Sequence, residues 1–259
     1  MSDEIPLHGG NTNDAVVRID NTVRRVQTSY SESVHVLLLH LEKSDYPSSP
    51  RFMGVDEKDR EILGFIEGDT GSFDFLWQEN ETLIAVARML RVYHKAVEPF
   101  SYTHLNWAYS YPDIAAHELI CHNDFAPYNM AFRKKLPVGI FDFDLAGPGP
   151  RLRDVAYAAY WSVPLSFNSQ DMCAAASADL QSGCQRLKMF CEAYGTSNYF
   201  GLLSMLREVL VHMSSRDTMV SMLGAEVANK LEQAGHIQHW RQELIVFDKY
   251  RPAIASRLR

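Results

Sequence analysis

The stretch from His122 to Asp144 constrains this chain more than any other segment. It reads His122-Asn123-Asp124-Phe125-Ala126-Pro127-Tyr128-Asn129 and, after a short basic turn, Gly139-Ile140-Phe141-Asp142-Phe143-Asp144. Pro127 has no amide hydrogen to give, which favours a loop over a continued helix. The apolar run Val138-Gly139-Ile140-Phe141 fits a short buried strand. Arg133-Lys134-Lys135-Leu136-Pro137 fits a tight hairpin that returns this strand beside the loop, and Gly147-Pro148-Gly149-Pro150 reads as the closing turn. Asp124, Asn129 and Asp142 are thereby expected in one place. Two carboxylates and an amide so grouped suit phosphoryl transfer, which needs oxygen ligands for Mg²⁺ and one carboxylate free to meet an incoming hydroxyl. Acids at strand ends are common, but His122, Asp124, Asn129 and Asp142 at these fixed offsets rarely coincide.

Upstream, Ile5-Pro6-Leu7-His8, Ala15-Val16-Val17-Arg18-Ile19 and Thr22-Val23-Arg24-Arg25-Val26 are three short β-prone runs. Gly9-Gly10-Asn11-Thr12-Asn13-Asp14 and Asp20-Asn21 join them with turn chemistry suited to antiparallel strands. Ser31 to Glu42 places Val34, Leu37, Leu38 and Leu41 on one helical face. Beyond the segment Gly68-Asp69-Thr70-Gly71 the patterning turns helical, with candidates at Glu81 to Val97, Asp171 to Tyr194, Tyr199 to Ser214 and Glu226 to Phe247. His94 falls within the first of these and reads as a hydrogen-bonded core histidine. His236 and His239 could share a helix face, yet no third ligand for a metal is evident nearby. We expect a mixed β/α lobe over residues 1–68 and a larger, mainly helical lobe over 69–259, an α+β architecture.

Composition narrows the function classes. The 259 residues suffice for two lobes with a sizeable core, and 46% hydrophobic with 22% charged content is ordinary for a globular chain. No window approaches twenty uncharged apolar residues, so no membrane partner is expected, and the acidic start Met1-Ser2-Asp3-Glu4 is unlike a signal peptide. A net charge of -7 argues against nucleic acid as partner. Cys121, Cys173, Cys184 and Cys191 form neither a C-x-x-C pair nor a disulfide framework, which suits a reducing, cytoplasmic setting.

On these residues the chain resembles the aminoglycoside phosphotransferase and choline kinase superfamily, the small-molecule branch of the protein-kinase-like fold. The pattern H-x-D-x-x-x-x-N followed by a D-x-D strand matches position by position. The resemblance implies a two-lobed fold with a small antiparallel sheet in the N-lobe, and ATP or GTP bound between the lobes. It implies Asp124 as catalytic base and Asn129 with Asp142 as ligands of Mg²⁺. His122 would brace the loop backbone, and Asp144 would steady the metal site or cap the following turn. Asp154, in Arg151-Leu152-Arg153-Asp154-Val155-Ala156-Tyr157, would anchor the catalytic loop. Gly9 and Gly10 would lie close to the phosphates, and Phe65, Ile66 and Glu67 would form the hinge against the nucleotide base. The family's usual lysine on the third strand is missing. Arg24 or Arg25 stands there, Arg24 being favoured by position, with His35 or Glu32 as the partner in place of the usual glutamate.

The implied activity is phosphorylation of a hydroxyl on a small molecule such as an aminoglycoside or amino alcohol, hence a link to antibiotic resistance. Stretches including Asn21-Thr22-Val23-Arg24-Arg25 and Phe125-Ala126-Pro127-Tyr128-Asn129 are similar to a subgroup labelled trifolitoxin-immunity-like. That similarity implies the alternative of a kinase-fold binding or immunity protein against a peptide antibiotic, with weak or no phosphotransferase activity. A protein kinase is disfavoured, because Asp142 to Asp154 is too short for an activation segment.

Overall fold

The computed structural model describes residues 4–7, 16–71, 74–163 and 180–259. In the N-terminal part, five strands form one antiparallel sheet in the order β1-β2-β3-β5-β4. They are β1 (Ile5–Pro6), β2 (Val17–Ile19), β3 (Thr22–Val26), β4 (Phe52–Val55) and β5 (Arg60–Gly64). The turn at Asp20-Asn21 joins β2 to β3, with Asp20 at φ 52, a left-handed position that Asp tolerates. Strand β4 carries no recognisable signal of its own. It holds Gly54 and a register irregularity between Phe52 and Gly54, and is defined by its pairing with β5.

Helix α1 (Ser31–Lys43) lays Val34, Leu37, Leu38 and Leu41 into the core beneath the sheet. The chain then crosses to the larger part through residues 65–68. Asp69 and Phe132 exchange backbone hydrogen bonds of 2.7 and 2.9 Å, which stitch this crossing to the downstream hairpin.

In the larger part, α2 (Asn80–Val97) buries Leu83, Val86, Leu90 and Val97 along one face, the stripe its sequence predicts. Tyr93 of this helix is fully buried and donates from its hydroxyl to the carbonyl of Ile120 at 3.0 Å. That bond fixes β6 (Leu119–Cys121), the strand that leads into His122. Strands β7 (Met130–Arg133) and β8 (Leu136–Ile140) form the expected hairpin, with Lys134 and Lys135 both at positive φ in a two-residue turn. Helices α3 (Arg151–Ser162), α4 (Leu180–Tyr194), α5 (Tyr199–Met213), α6 (Arg216–Leu223), α7 (Ala225–Gln233) and α8 (His236–Arg257) complete the described fold. Helix α2 packs on α3 and α4, and α5 packs on α3 and α8. No helix among the described residues is long and apolar enough to cross a membrane.

Two expectations are corrected. Gly147-Pro148-Gly149 forms a strand, β9, antiparallel to β6, and is not merely a turn. The reason is space: a Cβ on Gly147 would fall 1.8 Å from the carbonyl oxygen of Tyr109, so only glycine lets these backbones meet. The helix expected over Glu226 to Phe247 is divided into α7 and α8, because Gly235 adopts φ 83 and ends the first. Gly9, Gly10 and residues 171–179 of the helix expected from Asp171 lie outside the described residues.

These contacts set a paired test. Gly147→Ala should destabilise by about 3 kcal/mol through forced backbone displacement. Gly183→Ala, in α4 where nothing lies within 4 Å of an added Cβ, should stabilise by about 0.5–1 kcal/mol. Urea unfolding of both variants checks this; equal effects would contradict the packing at β9.

Candidate active site

The loop after β6 is built around one buried carboxylate. Asp154, in the first turn of α3, is fully buried; it accepts the backbone N–H of His122 on Oδ2 and of Asn123 on Oδ1, both at 2.7 Å. His94 Nε2 lies 3.1 Å from the same Oδ2. Burial alone would raise the pKa of this carboxyl. The hydrogen bond and charge of His94, with the loop N–H groups, outweigh that and hold it below the ordinary value. Asn123 can therefore sit at φ 64 and turn the chain sharply into Asp124. Its side chain donates to the carbonyl of Leu145 at 2.9 Å and accepts from Arg153 Nε at 2.8 Å, so the turn is tied on both sides.

His122 braces the same loop. Its Nδ1 accepts from the N–H of Asp124 at 3.3 Å, which leaves Nε2–H to donate to the carbonyl of Phe141 at 3.2 Å. Burial pushes its pKa below the ordinary value, consistent with this neutral tautomer.

Asp124 projects from this loop with both oxygens engaged. Oδ1 accepts the hydroxyl of Tyr128 at 2.5 Å, and Oδ2 accepts the amide of Asn129 at 2.8 Å. Burial raises its pKa, with these hydrogen bonds opposing. Because the neighbours of the Asn129 side chain are acceptors, its nitrogen faces Asp124 and its carbonyl oxygen is left for another partner. Asp142 follows β8 at φ 62. Burial, then the negative charge of Asp144, push its carboxyl up to about 7, while Arg25 opposes the rise.

Arg25, and not Arg24, turns toward these acids. Its Nη2 lies 2.5 Å from Asp144 Oδ1 and its Nη1 3.4 Å from Asp142 Oδ1, while Nε donates to Glu61. Arg24 points to the opposite face of the sheet, bonding Thr22 Oγ1 at 2.6 Å and approaching Asp56 at 3.7 Å. The strand's twofold alternation explains the difference, since Val23 packs on the core and Arg25 shares its face. The expected partner also changes. His35 reaches the arginine only through Glu61, with Nε2 at 2.6 Å from Glu61 Oε2 and its ring stacked on Phe52; Glu32 is exposed.

In the crossing segment, the N–H of Phe65 is committed to Asn21 O at 2.9 Å, and the carbonyl of Glu67 accepts from Arg133 at 3.2 Å. Arg18 lies 3.7 Å over the Phe65 ring and pairs with the Glu67 carboxylate at 2.6 Å. Ile66 packs against Gly139, where a Cβ would sit 2.7 Å away.

A sequence profile of the phosphotransferase enzyme family matches residues 18–190, well over half of the chain. The chain belongs to that family. A curated relative, the trifolitoxin immunity protein of Rhizobium leguminosarum bv. trifolii, is 34% identical over 175 residues; the match spans 64% of each protein's length. Among solved structures, an amicoumacin kinase in complex with AMP-PNP and Ca²⁺ aligns with TM-score 0.60 at 10% identity, over 90% of this chain and 89% of that one. An ADP-bound aminoglycoside phosphotransferase aligns with TM-score 0.56 at 13% identity, over 93% and 92%. Choline kinase from Cryptosporidium parvum aligns with TM-score 0.56 at 13% identity, over 98% and 91%. At such identities these three speak to fold: the protein has the two-lobed, kinase-like α+β fold that the sequence resembles.

Within this family fold, Glu61, Asn123, Arg153 and Tyr128 were given no role by the sequence. Glu61 had a readable signal, being a charge in phase with the core residue Leu63, although its place directly across from Arg25 comes only from the strand pairing. Arg153 had none, since its partners Asn123 and Tyr109 are distant in the chain; Tyr128 lies only four residues from Asp124, but its place beside Tyr157 and Trp161 is set by distant segments.

The crowding of Asp142 gives a pH test. Its folded pKa of about 7 exceeds the ordinary 3.8, so its contribution to stability is complete at low pH and is lost as pH rises through about 7. Asn cannot ionise and tolerates left-handed φ. Without divalent ions, Asp142→Asn should melt above the wild type at pH 8, the advantage shrinking toward pH 5. A wild type that melts higher at pH 8 would contradict the reading.

Proposed function

We propose that the protein transfers the γ-phosphoryl group of ATP or GTP to a hydroxyl acceptor on a small molecule such as an aminoglycoside or amino alcohol. One observation carries the proposal. Asp124 already holds a hydroxyl on one oxygen and Asn129 on the other, close enough to Asp142 to raise its pKa, with a guanidinium across from Asp142.

The roles follow from charge and donor type. Asp124 orients the acceptor hydroxyl and takes its proton as the bond to phosphorus forms. Arg25, on the third strand, is the cation for the nucleotide phosphates, and Glu61 and His35 hold it in place. Asn129, through its carbonyl oxygen, and Asp142, through its carboxylate, are the residues that would hold Mg²⁺. The donor set fits: oxygen ligands only, and mutual repulsion of Asp142 and Asp144 that a divalent cation would relieve. When bound, Mg²⁺ neutralises charge on the β- and γ-phosphates. Among the described residues, the N–H groups of Ile66 and Glu67 have no backbone partner, which leaves them for the edge of the base. Asp144 keeps Arg25 over Asp142, Asp154 and His122 keep the loop in shape, and catalysis rests on positioning and charge.

A second reading is favoured by the trifolitoxin immunity relative. In it the target is a peptide antibiotic, met either by phosphorylation or by sequestration. The intact set Asp124, Asn129 and Asp142 favours phosphorylation, because sequestration needs none of them.

Calorimetry with ATP and GTP, with and without Mg²⁺, tests the proposal. Wild type should bind nucleotide in a metal-dependent way and Asp142→Ala should lose that dependence. Asp124→Ala should keep nucleotide affinity while turnover with an accepted substrate falls about 10³-fold or more. Absence of nucleotide binding by the wild type would leave only sequestration.

A further inference from the structure

The hydroxyl that Asp124 already holds belongs to the protein itself. Tyr128 Oη is 2.5 Å from Asp124 Oδ1, the hydrogen-bond reach a base needs to its acceptor. Its oxygen is also 2.7 Å from the hydroxyl of Tyr157 in α3, and its ring meets Trp161 edge-on at 5.2 Å. The other oxygen of Asp124 is taken by Asn129. An external acceptor that meets Oδ1 therefore competes with Tyr128 for it, and Tyr128 is partly open to solvent at 36% exposure.

We propose that Tyr128 is a built-in acceptor: with nucleotide and Mg²⁺ bound and no external substrate, the protein phosphorylates its own Tyr128 hydroxyl. This rests on the phosphotransfer reading above and adds a modification site to it. In the step, the bond between the γ-phosphorus and the β,γ-bridging oxygen breaks, and its electron pair leaves on the nucleoside diphosphate. A bond forms between Tyr128 Oη and that phosphorus, and the phenolic proton passes to Asp124 Oδ1 and then to water. No further reactant is needed. The product carries a charge of about -1.5 to -2 beside Asp124 and closes the acceptor position, so external substrate and self-modification compete for one place. Tyr157, whose hydroxyl meets that of Tyr128 at 2.7 Å and also hydrogen-bonds Asp124, steadies the phenol and is a positioning residue.

The test uses the full chain, treated with phosphatase, repurified, then incubated with Mg²⁺ and ATP, and in parallel with GTP. Intact mass and peptide mapping read the product, and calorimetry reads nucleotide binding on the same samples. The expected result is one phosphoryl group on Tyr128, at a rate per chain independent of protein concentration. Incorporation should vanish in Tyr128→Phe and Asp124→Asn, with Mg²⁺-dependent nucleotide binding and melting temperature retained in Tyr128→Phe. Tyr157→Phe should slow incorporation without moving its site. Nucleotide bound by the wild type with no phosphate on Tyr128, or phosphate elsewhere at a rate that scales with concentration, overturns this proposal alone. No nucleotide binding by the wild type overturns it together with the phosphotransfer reading.

Discussion

The guanidinium of Arg25 is the interaction on which the site depends. It extends from β3 of the N-terminal sheet, is held by Glu61 directly across on β5, and reaches Asp142 and Asp144 after β8. Burial costs a cation its hydration, and here three carboxylates compensate. They do so from both parts of the fold, so one side chain sets the distance between the sheet and the acids that follow β8. A lysine's three N–H donors radiate from one nitrogen, whereas the guanidinium spreads its donors over Nε, Nη1 and Nη2 and gives each carboxylate its own nitrogen, which is a physical reason for the arginine. Asp142 remains crowded by Asp144 despite Arg25, and that residual repulsion leaves the acids disposed to accept a cation.

The second constraint is the anchoring of the loop. Asp154 satisfies two successive backbone N–H groups and His94 at once, and this lets Asn123 occupy left-handed backbone at the turn into Asp124. His122 then links the loop to Phe141, immediately before Asp142. Through these bonds α2, α3, β6 and β8 converge on Asp124, so the rigid helical part positions the proposed base and one proposed metal ligand together.

Much of this was legible in the sequence because it was local. The strand character of the first three β-prone runs with the turn at Asp20-Asn21, the buried face of α1, the hairpin at Lys134-Lys135 and the spacing of His122, Asp124, Asn129 and Asp142 are each read along the chain, without knowledge of distant partners. What was not legible depended on tertiary register. Arg24 and Arg25 are adjacent and chemically identical, and only the pairing of Val23 with Leu63 and of Arg25 with Glu61 decides which of them faces the acids. Glu61 replaces the helix glutamate that the family resemblance implied, so a search along α1 for a carboxylate finds His35, one step removed. Strand β9 escaped notice because Gly and Pro read as a turn, while the true reason for Gly147 is the backbone of Tyr109.

The measurement that tests the account most directly is calorimetric titration of Arg25→Lys and Arg25→Met with ATP and Mg²⁺, with melting temperature as a control for folding. Folded Arg25→Met should lose metal-dependent nucleotide binding by about 10-fold or more, and Arg25→Lys should retain part of it, since a point charge still meets phosphate. Wild-type affinity in a folded Arg25→Met protein would contradict the account, because the cation that organises the site would then have no part in binding the nucleotide.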